Sequence, residues 1–378
     1  MKIAILGAGK QARGAIQYLL DKPIEELCIF DQDINAANQL QDIFQDFSSK
    51  KVVVKAHSLD AHNPQELVEA LKPCGLAFNA LPYFFALKTT KAAIEAKTHL
   101  VDLGGNSEIV AKQFELDREA FAAGVKIVPD CGLAPGLVSL IVSDAITTVK
   151  NLSHVKAYVG GLPKYPEYAG PLQYGDFFST DGLVNEYIEP VSILRGGQHV
   201  FIQPLTELEE ISISSKNTFW TTLEAFSTSG GISTLPLTYQ GQLQTLEYKT
   251  LRFPGHLRQL QLLKQLDLLT APTLAKLLKP CDDQVFLKVI ARDGEERQYT
   301  REKTYVLHYV KNEYSDITAM MACTAYPATM IMLQLADPAI PPGVWRQEEI
   351  IKTQQAFDEL RNHGLDIQIE ERIKHGTR

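Results

Sequence analysis

The first 31 residues contain, in immediate succession, an apolar run, a glycine-rich turn, a helical pattern and a second apolar run. The apolar runs are residues 3–6 and 27–30, and the turn is Gly-Ala-Gly-Lys-Gln-Ala-Arg-Gly at residues 7–14. Small and apolar residues then recur at helical spacing, and the second run ends in Asp31. This order predicts two parallel strands joined by a helix. It constrains the fold because parallel strands need such a crossover.

The glycine turn suits the phosphates of a dinucleotide. Gly7 can adopt the tight turn, and Gly9 carries no side chain that would block a pyrophosphate. The next helix, which begins near Lys10 and Gln11, offers amide groups and the positive end of its dipole. We therefore predict that these four residues contact the cofactor. A glycine turn in another kind of α/β protein is the alternative interpretation.

Asp31 bears on which dinucleotide is bound. A carboxylate at this position can accept hydrogen bonds from both ribose hydroxyls, and it repels a 2′-phosphate. Its neighbours Phe30 and Gln32 add no positive charge, so we expect NAD. NADP is the alternative, because a basic residue from elsewhere in the chain can reach the site. Asp60 is a candidate adenine contact, with a solvated turn acid as the alternative.

Strands and helices alternate through the first 130 residues. Strands are predicted at residues 3–6, 27–30, 51–54, 75–78, 99–102 and 125–128. This pattern predicts an α/β doubly wound parallel sheet, a Rossmann dinucleotide-binding domain. Ligands bind such sheets at the carboxyl ends of the strands. The residues predicted to lie there are Ala80, Leu81, Pro82, Tyr83, Asp102, Asp130 and Cys131.

The pattern changes near residue 152 to period-two alternation with glycine-rich turns, which predicts an α+β domain with an antiparallel sheet. From about residue 316 the chain is helical and apolar again, and residues 365–369 are predicted to form a closing strand. We predict a dinucleotide-binding domain of residues 1–130 and 320–378, and a substrate-binding and dimerisation domain of residues 131–319. A homodimer is expected, as is usual for enzymes of this size.

Composition excludes several classes of protein. The 378 residues carry a formal charge of −8, which argues against a general nucleic-acid binder. The five scattered cysteines form neither a CxxC pair nor a cluster with histidine, so we predict no metal site and expect a reducing cytoplasm. Pro327 and Gln334 interrupt the apolar segment 317–336, which favours a buried helix over a membrane span. No signal peptide is evident.

Basic side chains cluster at residues 247–256. In a strand, Arg252 and Thr250 face one side, while Lys249 and Leu251 face the other. Arg252 can bind a substrate carboxylate through two hydrogen bonds, and a basic surface strand is the alternative. The hydroxyl of Thr228 is a second candidate for holding a carboxylate, with a plain hairpin turn as the alternative.

Oxidation of a C–N bond by hydride loss needs a neutral amine and leaves an iminium cation. Asp130 is suited to stabilise that cation, and Lys249 or His256 to deprotonate the amine. Cys131 is a candidate covalent nucleophile, but no histidine lies near it in the sequence, which favours a packing role. Tyr83 is predicted to stack on the nicotinamide or to belong to the core.

Several segments together resemble the saccharopine dehydrogenase family. They are residues 7–14, 79–82, 101–106, 129–136, 179–187, 228–236 and 248–256. The last three are most similar to the bacterial and archaeal lysine 6-dehydrogenase branch. The resemblance implies NAD-dependent oxidative deamination of the ε-amine of L-lysine to 2-aminoadipate 6-semialdehyde.

The resemblance also implies roles for particular residues. Arg252 and Thr228 would anchor the substrate carboxylate. Independently of the resemblance, Asp102 and His256 are predicted to contact the substrate. Asp130 and Cys131 would flank the reacting carbon.

The same family contains saccharopine reductases and carboxynorspermidine dehydrogenases, which also act on a C–N bond through an imine. Residues 102–106, Asp-Leu-Gly-Gly-Asn, depart from the Ser/Thr-rich stretch of the saccharopine reductases, which favours the lysine branch. A non-catalytic nucleotide-binding regulator is the alternative from another class, because a fold does not fix a function.

Overall fold

The computed structural model describes residues 1–47, 52–215, 218–295, 298–312 and 315–374. The chain forms two compact units. The first comprises Met1–Leu137 and Met321–Lys352, and the second comprises Val138–Met320 and Thr353–Arg378.

At least one helix separates each strand from the next as far as β6, and the order is less regular beyond it. Up to residue 137 they are β1 (Lys2–Leu6), α1 (Lys10–Leu19), β2 (Glu26–Asp31), α2 (Ile34–Phe47), β3 (Val53–Ser58), α3 (Pro64–Leu71), β4 (Leu76–Asn79), α4 (Ala86–Ala96), β5 (His99–Asp102), α5 (Ser107–Phe114), α6 (Asp117–Ala123) and β6 (Lys126–Val128). They continue with α7 (Val138–Thr148), β7 (His154–Pro163), α8 (Thr180–Ile188), β8 (Val191–Arg195), β9 (Gln198–Ile202), β10 (Thr206–Ser215), β11 (Thr218–Ser227), α9 (Leu235–Thr238), β12 (Thr245–Arg252), α10 (His256–Gln265), α11 (Ala271–Leu277), β13 (Asp283–Arg292) and β14 (Arg301–Val310). The last are α12 (Ala319–Gln334), β15 (Gly343–Val344), α13 (Gln347–Ile350), α14 (Thr353–Asn362) and β16 (Gln368–Ile373).

The first unit contains a seven-stranded parallel sheet in the order β15-β6-β5-β4-β1-β2-β3. The predicted Rossmann class is therefore confirmed. The strand order reverses between β1 and β4, and open α/β sheets bind ligands at such a reversal.

The third strand lies further along the chain than predicted. β3 runs to Ser58 because it pairs with β2 over its whole length, from Glu26↔Val53 to Asp31↔Ser58. Lys51, the first residue of the predicted strand, lies outside the described residues.

The second unit is built on a nine-stranded sheet whose main path is β10-β11-β12-β7-β13-β14-β16. The predicted antiparallel pairing holds at most neighbours, but β7 and β12 pair in parallel. The elements from α8 to α9 lie between these two strands in the sequence and provide the long connection that a parallel pair requires. The sheet is therefore mixed.

The C-terminal segment is placed differently from the prediction. Residues from Thr353 onward belong to the second unit, because β16 pairs with β14 from Val306↔Gln368 to Arg301↔Ile373. Residues 131–137, predicted to belong to the substrate domain, lie in the first unit, as does Met321–Lys352. No helix in the described ranges combines the length and apolarity needed to cross a membrane.

Helices α1 and α12 approach closely at Gly14. A Cβ atom on Gly14 would lie 2.8 Å from Cβ of Ala325 and 3.0 Å from the carbonyl oxygen of Met321. Neither atom can rotate away, so a larger residue must push the helices apart. Just beyond this point the rings of Tyr18 and Tyr326 pack at a centroid distance of 5.4 Å.

We expect Gly14→Val to lower the free energy of unfolding by about 1–3 kcal/mol, the usual cost of overpacking. Urea denaturation measures the change. Gly75→Val is the matched control, because the nearest atom to a Cβ at Gly75 is Cγ of Met1 at 3.8 Å. Equal stability of the two variants would contradict the close helix approach.

Candidate functional site

The turn between β1 and α1 has the shape of a phosphate cradle. Gly7 has φ +93°, and a Cβ there would lie 3.2 Å from the carbonyl oxygen of Ala80. A Cβ on Gly9 would meet no atom within 4 Å, so space is open at the start of α1. Gly9 caps α1 without a side-chain hydrogen bond, and Lys10 and Gln11 occupy the first turn. The cradle fits a pyrophosphate held by backbone amides.

Asp31 is tied to this cradle. Its carboxylate accepts hydrogen bonds from the backbone N–H of Ala8 (2.7 Å) and of Asp33 (2.9 Å). Asp31 therefore fixes the glycine turn. It is also the last residue of β2, the position at which Rossmann folds bind the ribose. The carboxylate of Asp60 accepts the N–H of His62, as in an ordinary turn, and its adenine contact stays a prediction.

The loop after β4 is fixed by a buried amide. Asn79 accepts the N–H of Leu81 (3.2 Å) and donates to Thr89 (3.0 Å), which holds Ala80, Leu81 and Pro82 beside the cradle. Tyr83 is only partly buried, and its Cβ lies 3.6 Å from where a Cβ on Gly105 would be. Tyr83 thus stands between the loops after β4 and β5 rather than in the core.

Asp102 braces the loops after β5 and β6. Its carboxylate is 2% exposed and accepts hydrogen bonds from the N–H groups of Gly104 (2.8 Å) and Asp130 (3.2 Å) and from the amide of Gln113. Burial raises the pKa of Asp102, while these donors oppose the rise. This geometry gives Asp102 a supporting position, and its contact with substrate stays a prediction.

Asp130 occupies a strained backbone position. Its φ is +62°, which is uncommon for a residue with a side chain and is often found at functional sites. Its carboxylate lies directly against Gly104, where any Cβ would overlap it. The carbonyl oxygen of Asp130 accepts a hydrogen bond from Gln347 (2.7 Å). Gly104 thus leaves room for this carboxylate, and Gln347 fixes the backbone that carries it, two residues beyond the end of β6.

Cys131 has the environment of a packing residue. Its thiol is fully buried and donates to the carbonyl oxygen of Val128 (3.3 Å). Burial, together with the charges of Asp102 and Asp130, raises the pKa of Cys131 well above its usual value. A buried, protonated thiol is a poor nucleophile. We therefore assign Cys131 a packing role and not the role of a covalent nucleophile.

In the second unit, Arg252 forms a buried cationic site. Its guanidinium is 3% exposed and lies 4.3 Å from the ring centroid of Tyr174. It donates to the hydroxyl of Tyr187 through Nε (3.1 Å) and Nη2 (2.9 Å), and to the carbonyl oxygen of Leu251 (2.9 Å). These hydrogen-bond acceptors are neutral, so none of them cancels the positive charge of the guanidinium.

His256 contacts Tyr187, the hydrogen-bond partner of Arg252. Its Nδ1 donates to the carbonyl oxygen of Leu172 (2.8 Å), which leaves Nε2 to accept a hydrogen bond from Tyr187 (3.3 Å). Burial and the charge of Arg252 lower the pKa of His256 to about 3, so the ring is neutral. Such a weak base does not suit the predicted role of deprotonating an amine. His256 instead orients the Tyr187 hydroxyl toward Arg252.

Lys249 lies on the other face of β12, as the alternation of the strand predicts. Its ammonium donates to the carbonyl oxygen of Glu207 (2.7 Å) and pairs with Glu209 at 3.0 Å. Lys249 is therefore buried beside an acid rather than beside other cations. The predicted role of Lys249, deprotonation of the substrate amine, does not fit this environment.

The Arg252 face of β12 also carries Tyr248 and Thr250. The hydroxyls of Thr250 and Thr228 lie 2.7 Å apart, which brings Thr228 to this face as expected. Gly231 packs so tightly on the ring of Tyr248 that a Cβ would overlap it. The tight turn after β11 is therefore fitted to this surface.

The sequence pattern did not indicate roles for Glu186 or for the three tyrosines, Tyr174, Tyr187 and Tyr248. A carboxylate oxygen of Glu186 lies 4.0 Å from Nη2 of Arg252. Glu186 and Tyr187 fall within residues 179–187, a segment that the family resemblance includes, and this was the one signal for them. Among the residues that the structure describes, no three His, Cys, Asp or Glu side chains group as metal ligands would.

The strand order of the first unit, with an open glycine cradle where it reverses, defines a dinucleotide-binding protein of the Rossmann class. Residues 3–128 match the model of the saccharopine dehydrogenase NADP binding domain, and residues 132–365 match that of the saccharopine dehydrogenase C-terminal domain. The chain belongs to the saccharopine dehydrogenase family, and its first unit is a nicotinamide-dinucleotide-binding domain.

Two curated relatives illustrate the match. The chain is 29% identical over 204 residues to mouse mitochondrial alpha-aminoadipic semialdehyde synthase, covering 53% of this chain and 21% of that protein. It is 31% identical over 134 residues to the NADP(+)-dependent, L-glutamate-forming saccharopine dehydrogenase of Saccharomyces cerevisiae, covering 34% of this chain and 29% of that protein. The chain thus matches less than a third of the length of each relative.

A solved structure shows the same fold over nearly the whole chain. The apo saccharopine dehydrogenase (L-Glu forming) from Saccharomyces cerevisiae superposes with a TM-score of 0.74 at 18% identity. The superposition covers 98% of this chain and 99% of that one.

We expect Tyr187→Phe to raise the KM for a ligand whose carboxylate binds Arg252 about tenfold, because hydrogen bonds to a charged group contribute about 1.5–3 kcal/mol. Arg252 would lose its hydroxyl partner while kcat changes less. Steady-state kinetics measures both constants. Tyr168→Phe is the matched control, since Tyr168 is 80% exposed. An unchanged KM in Tyr187→Phe would remove the hydroxyl from the site.

Proposed function

We propose that this protein is an NAD-dependent dehydrogenase that oxidises the C–N bond of the side-chain amine of L-lysine. The buried guanidinium of Arg252 carries the proposal. A cation this deeply buried, with neutral hydrogen-bond acceptors, is stabilised by an anionic ligand, and the carboxylate of an amino acid supplies one. The glycine cradle supports the cofactor half of the proposal.

In the proposed reaction, the ε-ammonium of lysine loses a proton and the ε-carbon loses a hydride. The resulting iminium reacts with water to give 2-aminoadipate 6-semialdehyde and ammonium. The nicotinamide dinucleotide accepts the hydride when it is bound. Arg252 binds the substrate carboxylate. The role of Asp130 beside the iminium cation stays a prediction from the sequence; within its own unit, Asp102 accepts the backbone N–H of Asp130.

An alternative is a reaction on saccharopine, which the names of the relatives favour. Saccharopine carries more carboxylates than lysine and would need more cations. Among the described residues of the second unit, the buried Lys and Arg side chains are Lys249 and Arg252, and Lys249 is paired with Glu209. Arg252 has the longer contact with an acid, 4.0 Å to Glu186, so it is the more available of these two buried cations, which supports the smaller substrate.

The choice of NAD rests on Asp31. The family model that matches residues 3–128 is named for NADP, whereas this chain places a carboxylate at the end of β2. Asp33 adds a second negative charge nearby. A 2′-phosphate would be repelled by both acids, which supports NAD.

We expect the wild-type protein to reduce NAD with L-lysine, and more slowly or not at all with saccharopine or carboxynorspermidine. Arg252→Gln should raise the KM for lysine at least about tenfold, because it removes a charge-assisted interaction. Absorbance of the reduced cofactor measures both. Arg258→Gln, on the exposed side of α10, is the control. Turnover of saccharopine but not lysine would overturn the substrate assignment.

We expect Asp31→Ser to lower kcat/KM for NAD about tenfold or more while NADP loses less, because the ribose loses its carboxylate acceptor and the 2′-phosphate loses a repulsion. Kinetics with each cofactor measures the ratio. Asp42→Ser is the control, since Asp42 lies on the exposed side of α2. If kcat/KM fell equally for NAD and NADP in Asp31→Ser, the assignment of Asp31 to the ribose would be wrong.

A further inference from the structure

Glu186 lies beside the cation that binds the substrate carboxylate. It sits in the last turn of α8, and its carboxylate oxygen Oε2 lies 4.0 Å from Nη2 of Arg252. The N–H of Ser229 donates to the carbonyl oxygen of Glu186 (2.9 Å), and the hydroxyl of Ser229 donates to that of Asn185 (3.2 Å). The turn after β11 therefore fixes the backbone from which this carboxylate projects.

The titratable groups that interact electrostatically with the carboxyl of Glu186 are Arg252 and the phenols of Tyr174, Tyr187 and Tyr248. Burial raises the pKa of each phenol, so the hydroxyls are neutral. Within the described part of the chain, the protein donates no hydrogen bond to the Glu186 carboxylate. Its side chain as a whole is 27% exposed.

An α-amino acid carries its carboxylate and its ammonium on the same carbon. A guanidinium and a carboxylate side by side complement these two charges, because each can bind the group of opposite sign. We propose that Glu186 binds the α-ammonium of the substrate, so that the pair Arg252–Glu186 selects an α-amino acid head group over a simple carboxylate. This inference rests on the proposed function for the role of Arg252.

Glu186 is better suited to the head group than to the reacting end. The ε-carbon of lysine is separated from its carboxylate by the full length of the side chain. A residue 4.0 Å from the carboxylate anchor lies with the α-carbon. Glu186 is therefore assigned to recognition and not to deprotonation of the ε-amine.

The head-group role has a pH dependence. Burial raises the pKa of Glu186 to about 7, with the charge of Arg252 opposing the rise. The neighbouring Tyr174, Tyr187 and Tyr248 stay neutral in this range, and His256 is neutral because its pKa lies far lower. As the pH falls below 7, Glu186 gains a proton and loses its attraction for an ammonium. Binding of an α-amino acid should weaken, whereas binding of a simple carboxylate should not weaken through this group.

Binding of L-norleucine and of hexanoate tests the inference without any turnover, because the two differ by the α-ammonium alone. Isothermal titration calorimetry on the full chain should show that norleucine binds at least tenfold more tightly than hexanoate at pH 8. Glu186→Gln should abolish that preference while binding of hexanoate stays within twofold. Glu189→Gln, just beyond the same helix, should change neither.

Two outcomes would overturn the inference. One is a preference for norleucine that survives in Glu186→Gln, and the other is an equal loss of both ligands. The wild-type protein provides a second test that needs no variant: the preference for norleucine should fall at least fivefold between pH 8 and pH 6, and a constant preference would contradict it. If the preference behaves as expected but lysine is not oxidised, the head-group site stands and the proposed reaction fails.

Discussion

A guanidinium buried at the end of a strand is the constraint on which the second unit depends. Burying a charge is costly unless hydrogen bonds and an opposite charge compensate. The chain supplies the Tyr187 hydroxyl, a backbone carbonyl and the face of Tyr174 to Arg252. A neutral His256 orients Tyr187, and Glu224 accepts the N–H groups of Gly255 and Leu257 on either side of that histidine. Several elements thus cooperate to present one cation.

The first unit contains a buried carboxylate, that of Asp130, whose position also depends on neighbouring residues. Asp130 is maintained at a positive φ by the carboxylate of Asp102, which also accepts the N–H of Gly104. Because Gly104 lacks a side chain, the carboxylate of Asp130 can lie directly on its backbone. Strain of this kind persists only when its surroundings enforce it. The arrangement keeps a carboxylate in place just beyond a strand end of the parallel sheet, the edge at which open α/β sheets bind ligands.

Features that depend on local periodicity could be predicted from the sequence. The alternation along β12 correctly separated Lys249 from Arg252, and the glycine turn and its helix identified the sheet. Features that depend on distant partners could not be predicted. The environment of His256 is set by Leu172 and Tyr187, and that of Lys249 by Glu207 and Glu209. The last strand was recognisable as a strand, but nothing local in the sequence shows which sheet it joins.

The origin of the transferred hydride tests the central claim most directly. L-Lysine carrying two deuterium atoms on its ε-carbon would be incubated with the protein and NAD, and the reduced cofactor would be analysed by mass spectrometry. We predict one deuterium in each reduced cofactor molecule, together with release of ammonium. A reduced cofactor without deuterium, or no reduction of the cofactor by lysine, would contradict the proposed reaction.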